Sequence, residues 1–136
     1  MKKNDDIIST AEGYGTEGEA VFMHEGSPVF VPHCLAGERA EIKILAVKGS
    51  VAYGKCRRVL SPSPDRVPPP CPVFEKCGGC QLQHMSYAAQ LAFKTDLIKN
   101  LLKKIAGIEA DVLPASASAR QYNYRNKLVL PVGVNA

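Results

Sequence analysis

The chain has 136 residues, 46% of them hydrophobic and 22% charged, with a formal net charge of +4. That is the balance of one ordinary globular domain, and it excludes a disordered tail. No apolar run reaches the roughly 20 residues of a bilayer span, and the polar start Met1–Asp6 is followed by no apolar signal segment. Five cysteines, three of them within ten residues, suit an intracellular metal site better than a disulfide framework. A nucleotide-type cofactor calls for an α/β domain of about 150 residues of its own, so such chemistry is not expected of this chain alone.

In chain order, residues 5–60 read as short strands. Asp6–Thr10 is the first. The glycines of Gly13-Tyr14-Gly15-Thr16-Glu17-Gly18 match a dinucleotide fingerprint. Such a fingerprint needs a helix after it and tolerates acids poorly. Here Glu19–His24 reads as strand, so a hairpin turn is the better reading. Ala20–His24 and Pro28–His33 flank the turn Glu25-Gly26-Ser27. In Glu38–Val47, Ala40, Ile42, Ile44 and Ala46 alternate with Glu41, Lys43, Leu45 and Val47. Val51–Leu60 follows the turn Gly49-Ser50 and carries Tyr53, Lys55, Arg57 and Arg58. Five short strands joined by tight turns favour a closed barrel of the oligonucleotide-binding type, because closure removes exposed edges.

Charge is divided unevenly. Residues 1–33 sum to −4, while 34–70 and 71–136 each sum to +4. The knot of Lys55, Arg57 and Arg58 beside Tyr53 suits phosphate binding with base stacking, although a solvated strand face has the same composition. Six of the ten prolines fall in Ser61–Pro72, which reads as a stiff extended linker.

Cys71, Cys77 and Cys80 follow with the spacing C-x5-C-x2-C and Gly78-Gly79 in the last interval. Thiolates at this spacing suit a soft metal centre. From spacing alone two completions stay open. His84 would make a Cys3His zinc site, and a fourth cysteine would make a [4Fe-4S] cluster. Cys34 and Cys56 read as small core residues. Ser86–Ile105 is the one strong helix, with Ser86 as cap, lysines 99, 103 and 104 at its C-terminal end and Gly107 as stop. Gln121–Val134 reads as a strand with Arg120, Arg125 and Lys127 around it, the first piece of a further β subdomain.

Several of these segments resemble one family. Cys71-Pro-Val-Phe-Glu-Lys-Cys77-Gly-Gly-Cys80-Gln-Leu-Gln-His84, with Tyr87, Gln90 and Lys94, is similar to the iron–sulfur region of the RNA uracil-5-methyltransferases that modify 23S ribosomal RNA. Gly13-x-Gly15, Ala20-Val21-Phe22, Val29-Phe30-Val31-Pro32 and Gly37-Glu38 resemble that family's TRAM barrel. Ser61-Pro62 and Arg66-x-Pro68 resemble its linker, and Tyr124-Arg125-Asn126-Lys127 the start of its central β subdomain.

The resemblance implies a mainly β chain with one helix. Residues 1–62 form an RNA-binding barrel, 63–85 the linker and cysteine segment, 86–107 a helix, and 108–136 the start of the β subdomain. It implies a [4Fe-4S] cluster held by Cys71, Cys77 and Cys80 and a fourth cysteine beyond this chain, with His84 not a ligand. Tyr53, Lys55, Arg57, Arg58, Arg125 and Lys127 are the expected RNA-binding residues. The implied reaction uses S-adenosylmethionine. A cysteine thiolate adds to uracil C6, C5 takes the methyl group, and proton removal then permits elimination. None of the residues for those steps matches here, so the chain alone is expected to be inactive, cytoplasmic and bound to RNA. The alternative reading is a stand-alone zinc-dependent RNA-binding module.

Overall fold

The computed structural model describes residues 1–127 and 129. Five strands form a closed barrel in the order β1-β2-β3-β5-β4. They are β1 (Asp6–Tyr14), β2 (Ala20–His24), β3 (Ser27–Val31), β4 (Arg39–Lys48) and β5 (Val51–Ser61). All neighbours are antiparallel except β3 and β5, whose parallel pairs Val29–Ala52 and Phe30–Tyr53 close the barrel. The alternation in β4 holds: Ala40, Ile42 and Ile44 are buried, and Leu45 and Val47 are exposed. Phe22, Val29, Val31 and Ala52 meet them in the core.

Two residues, Glu25 and Gly26, make the β2–β3 turn, both with positive φ (50° and 74°), the geometry of a primed hairpin turn. β1 runs four residues further than its sequence pattern suggests, taking Gly13 and Tyr14 into the strand. The glycine motif is therefore a strand end and hairpin turn, with β2 rather than a helix after it. Gly54 faces inward, where an added Cβ would lie 2.5 Å from Ile42 Cγ2. No larger residue fits that inner position without displacing the core.

The proline segment is irregular, as its composition suggests, but it is not detached from the barrel. It folds back on the barrel through a buried charge. Glu38, wholly buried, accepts from the Leu35 amide at 2.9 Å and the Ser63 amide at 3.1 Å. Its carboxylate also takes the Arg66 guanidinium in bidentate fashion, Nε at 2.5 Å and Nη2 at 2.7 Å. Arg66 further donates to the His33 carbonyl at 2.8 Å. Burial alone would raise the Glu38 carboxyl, but the Arg66 and amide hydrogen bonds outweigh it and hold it below the usual carboxylate range.

Beyond a one-turn helix α1 (Phe74–Cys77), the main helix α2 covers Tyr87–Leu101 and ends in a π turn over Leu102–Ala106, closed by Gly107 at φ 66°. Ser86 caps it, its hydroxyl accepting from the Ala89 amide at 3.3 Å. Tyr14 of β1 meets Phe93 of α2 edge to face, centroids 5.2 Å apart. The chain then returns along α2, where the Ser118 amide donates to the Tyr87 hydroxyl at 2.7 Å and the Ala115 amide to the Thr95 hydroxyl at 2.9 Å. Sandwiched this way, Leu91, Leu97, Leu101 and Leu102 are half-buried, while Ile98 and Ile105 stay exposed.

The expected strand over Gln121–Val134 is corrected in part. Residues 121–127 are irregular, with no strand partner among the described residues to accept their backbone groups. Residues 128 and 130–136 lie outside the described residues.

Candidate nucleic-acid interface

β5 presents its polar side chains outward. Tyr53, Lys55, Arg57 and Arg58 are all exposed, while Ala52 and Gly54, on either side of Tyr53, are buried. The register slips between the pairs Ile42–Cys56 and Glu41–Arg58, so Arg57 is the extra residue of a bulge. That bulge lets two consecutive arginines face solvent.

The four residues are not equivalent. Arg57 is held by Asp6, with Nε 2.9 Å from Oδ1. Arg58 lies 3.9 Å from Glu41. Both pairs are open to water and are worth at most about 1 kcal/mol. Lys55 makes no ion pair among the described residues. Tyr53 stacks on Phe30 across the parallel β3–β5 junction, centroids 6.0 Å apart and planes at 29°. Lys48 Nζ lies 6.0 Å from the Tyr53 ring centroid. Phe30 and Lys48 were not singled out as binding residues in the sequence; the cross-strand register brings them to Tyr53. The result is an exposed Tyr53 ring backed by the half-buried Phe30, with two lysines beside it that make no ion pair among the described residues, which can stack a base and neutralise phosphates.

Arg125 and Lys127 lie elsewhere. They line an open cavity of about 1040 Å³ together with Cys71, Cys80, Tyr122 and Lys94. The sequence-predicted residues thus divide between the barrel face and this cavity.

The three cysteines share one short loop around α1. Cys71 and Cys80 are half-buried on the cavity, and Cys77 is exposed. Among the described residues, no three His, Cys, Asp or Glu side chains gather closely enough to hold a metal ion. The donor chemistry fits a soft metal centre, but the thiols do not form a finished ligand set here. His84 does not join them. It is 1% exposed, packs against Phe74 at 5.5 Å, and has its Nε2 3.5 Å from the Cys34 carbonyl. Burial pushes its pKa down to about 4. Cys34 is buried in the barrel core beside Cys56, whose hydrogen bond, with burial, raises the Cys34 thiol.

No family model matches the chain. Curated relatives do. A protein of Clostridium tetani described as an uncharacterized RNA methyltransferase is 41% identical over 133 residues, 98% of this chain. One of Halalkalibacterium halodurans is 42% identical over 134 residues. It too is described as an uncharacterized RNA methyltransferase. The chain spans 29% of the length of these relatives. Among solved structures, the tRNA (uracil-54, C5)-methyltransferase of Pyrococcus abyssi in complex with S-adenosyl-L-homocysteine aligns with 79% of this chain and 23% of its own, at 29% identity and a TM-score of 0.49. Among the described residues no helix is long and apolar enough to cross a membrane.

Proposed function

We propose that this chain is the RNA-binding and cluster-bearing N-terminal portion of a cytoplasmic, S-adenosylmethionine-dependent RNA (uracil-5-)methyltransferase acting on 23S ribosomal RNA. The observation that carries the RNA-binding part is the exposed Tyr53 ring, stacked on the half-buried Phe30, with Lys48 and Lys55 on the barrel's outer face, in a chain whose homologues are RNA methyltransferases. Tyr53 supplies a stacking plane and the lysines supply phosphate neutralisation. Arg57 and Arg58 contribute less, because Asp6 and Glu41 already answer part of their charge. Arg125 and Lys127 extend the basic surface at the cysteine cavity.

Cys71, Cys77 and Cys80 are the proposed ligands of a [4Fe-4S] cluster, with the fourth ligand outside this chain. When bound, the cluster supplies a structural tie for this loop, since cysteine-mediated methyl transfer needs no electron carrier. The residues that perform methyl transfer belong to the part of the longer protein not present here, so this chain alone is inactive.

The test is RNA titration of four proteins. Lys48→Ala with Lys55→Ala, and Tyr53→Ala, should each weaken binding about tenfold, the lysine variant also lowering the salt slope. Arg57→Ala with Arg58→Ala should do less. Equal affinity and slope in all four would overturn the assignment of this face.

A further inference from the structure

The outer face of the barrel continues past the Phe30–Tyr53 stack into a second feature. Tyr53 pairs with Phe30, Phe30 with Val21, and Val21 with Gly13, a single cross-strand row from β5 to β1. The last three positions of that row form the floor of an open groove of about 820 Å³ between the barrel and α2. Tyr14 and Phe93, locked edge to face, form its aromatic end. Gly13 brings no side chain to that floor. A Cβ built there meets nothing within 4 Å, and its φ is not in the left-handed region, so neither sterics nor backbone demands glycine. The missing side chain leaves the groove open.

The charges are arranged unevenly. Glu12, Asp65 and Asp96 line the groove, with Lys104 also on it, and Lys48 and Lys55, neither ion-paired among the described residues, lie beside Tyr53 at the far end of the row. Carboxylates inside repel a phosphate but accept from an amino group. A strand of RNA held by the Tyr53 face would therefore keep its phosphates outside and point a base inward.

We infer that the groove floored by Gly13, Val21 and Phe30 takes an unpaired RNA nucleotide whose base carries an exocyclic amino group, next to the nucleotide stacked on Tyr53. This rests on the proposed RNA binding by the barrel face. It makes the groove a reader of a neighbouring base, since uracil carries no amino group for Glu12 or Asp96.

The test fills the groove without touching the Tyr53 face. Gly13→Val adds a β-branched side chain that suits a strand, and Ala92→Leu fills from the opposite wall with a good helix former. Binding of a short labelled single-stranded RNA of mixed sequence is compared with that of oligouridylate, with thermal melts confirming that each variant folds. The wild-type chain should prefer the mixed sequence. Each filling variant should bind it roughly tenfold more weakly, the scale of losing one stacked base, and lose the preference. If both variants bind like wild type while Tyr53→Ala is weakened, the groove assignment falls and the barrel-face reading stands. If the wild-type chain binds neither RNA, that reading falls and takes the groove with it. If groove filling instead destabilises only the longer protein, leaving RNA affinity intact there, the groove is covered by a protein segment and the inference is overturned.

Discussion

Replacing Glu38 by Gln should unfasten the proline segment from the barrel. The Glu38 side chain is wholly buried and its carboxylate accepts four hydrogen bonds, two from the Arg66 guanidinium and one each from the Leu35 and Ser63 amides. A glutamine keeps one oxygen acceptor and turns an NH2 group toward donors. Removing one partner of a buried ion pair costs about 3–5 kcal/mol. The Arg66 side chain is 26% exposed and can be partly rehydrated, so the lower end, about 3 kcal/mol, is expected. For a chain of this size that is roughly 10 °C in Tm. Urea denaturation followed by circular dichroism reads the loss directly. Arg66→Met alone should also destabilise, because it strands the carboxylate. The double variant should recover about 2 kcal/mol relative to the sum of the singles. A Glu38→Gln variant within about 0.5 kcal/mol of wild type, or strictly additive singles, would refute the reasoning.

Gly54→Ala should cost about 1–3 kcal/mol, since its Cβ would sit 2.5 Å from Ile42 Cγ2, and the equilibrium urea midpoint measures it. His84, with a folded pKa near 4 against an ordinary value near 6.5, binds its proton less readily folded than unfolded. Its contribution is complete above about pH 6.5 and is lost as pH falls toward 4. Urea midpoints should decline over that window, and His84→Phe should flatten the decline. Glu38, held below its usual range, adds a second loss that begins only below about pH 4.3. Anaerobically purified protein extended to include the fourth cysteine should carry iron and acid-labile sulfide, absent from Cys77→Ser; stoichiometric zinc without colour would point to the zinc-module alternative.

The barrel was legible because its signal is local. Alternation over Ala40–Ala46 and the Glu25-Gly26 turn dictate strands and a hairpin without reference to the rest of the chain. The helix cap at Ser86 was legible for the same reason. The Glu38–Arg66 pair was not. The two are 28 residues apart, and a lone acid and a lone base in sequence both read as surface groups. The same holds for the interface. Tyr53 and Lys55 stand out within β5, but Phe30 reaches Tyr53 only through the β3–β5 closure, Lys48 reaches it across the β4–β5 hairpin, and the acids that engage Arg57 and Arg58 come from β1 and β4. The expected strand over Gln121–Val134 rested on composition alone, and a strand exists only with a partner to accept its hydrogen bonds. The tie between the proline linker and the barrel was not legible either, because proline content sets stiffness but says nothing of where Arg66 can find a carboxylate.

The most direct measurement is the affinity of the chain for single-stranded RNA across a range of salt concentrations. The account predicts that log K falls linearly with log salt, with a slope that reports a few released counterions and shrinks when Lys48 and Lys55 become alanine. Absence of binding at low salt, or binding indifferent to salt and to those two lysines, would contradict it.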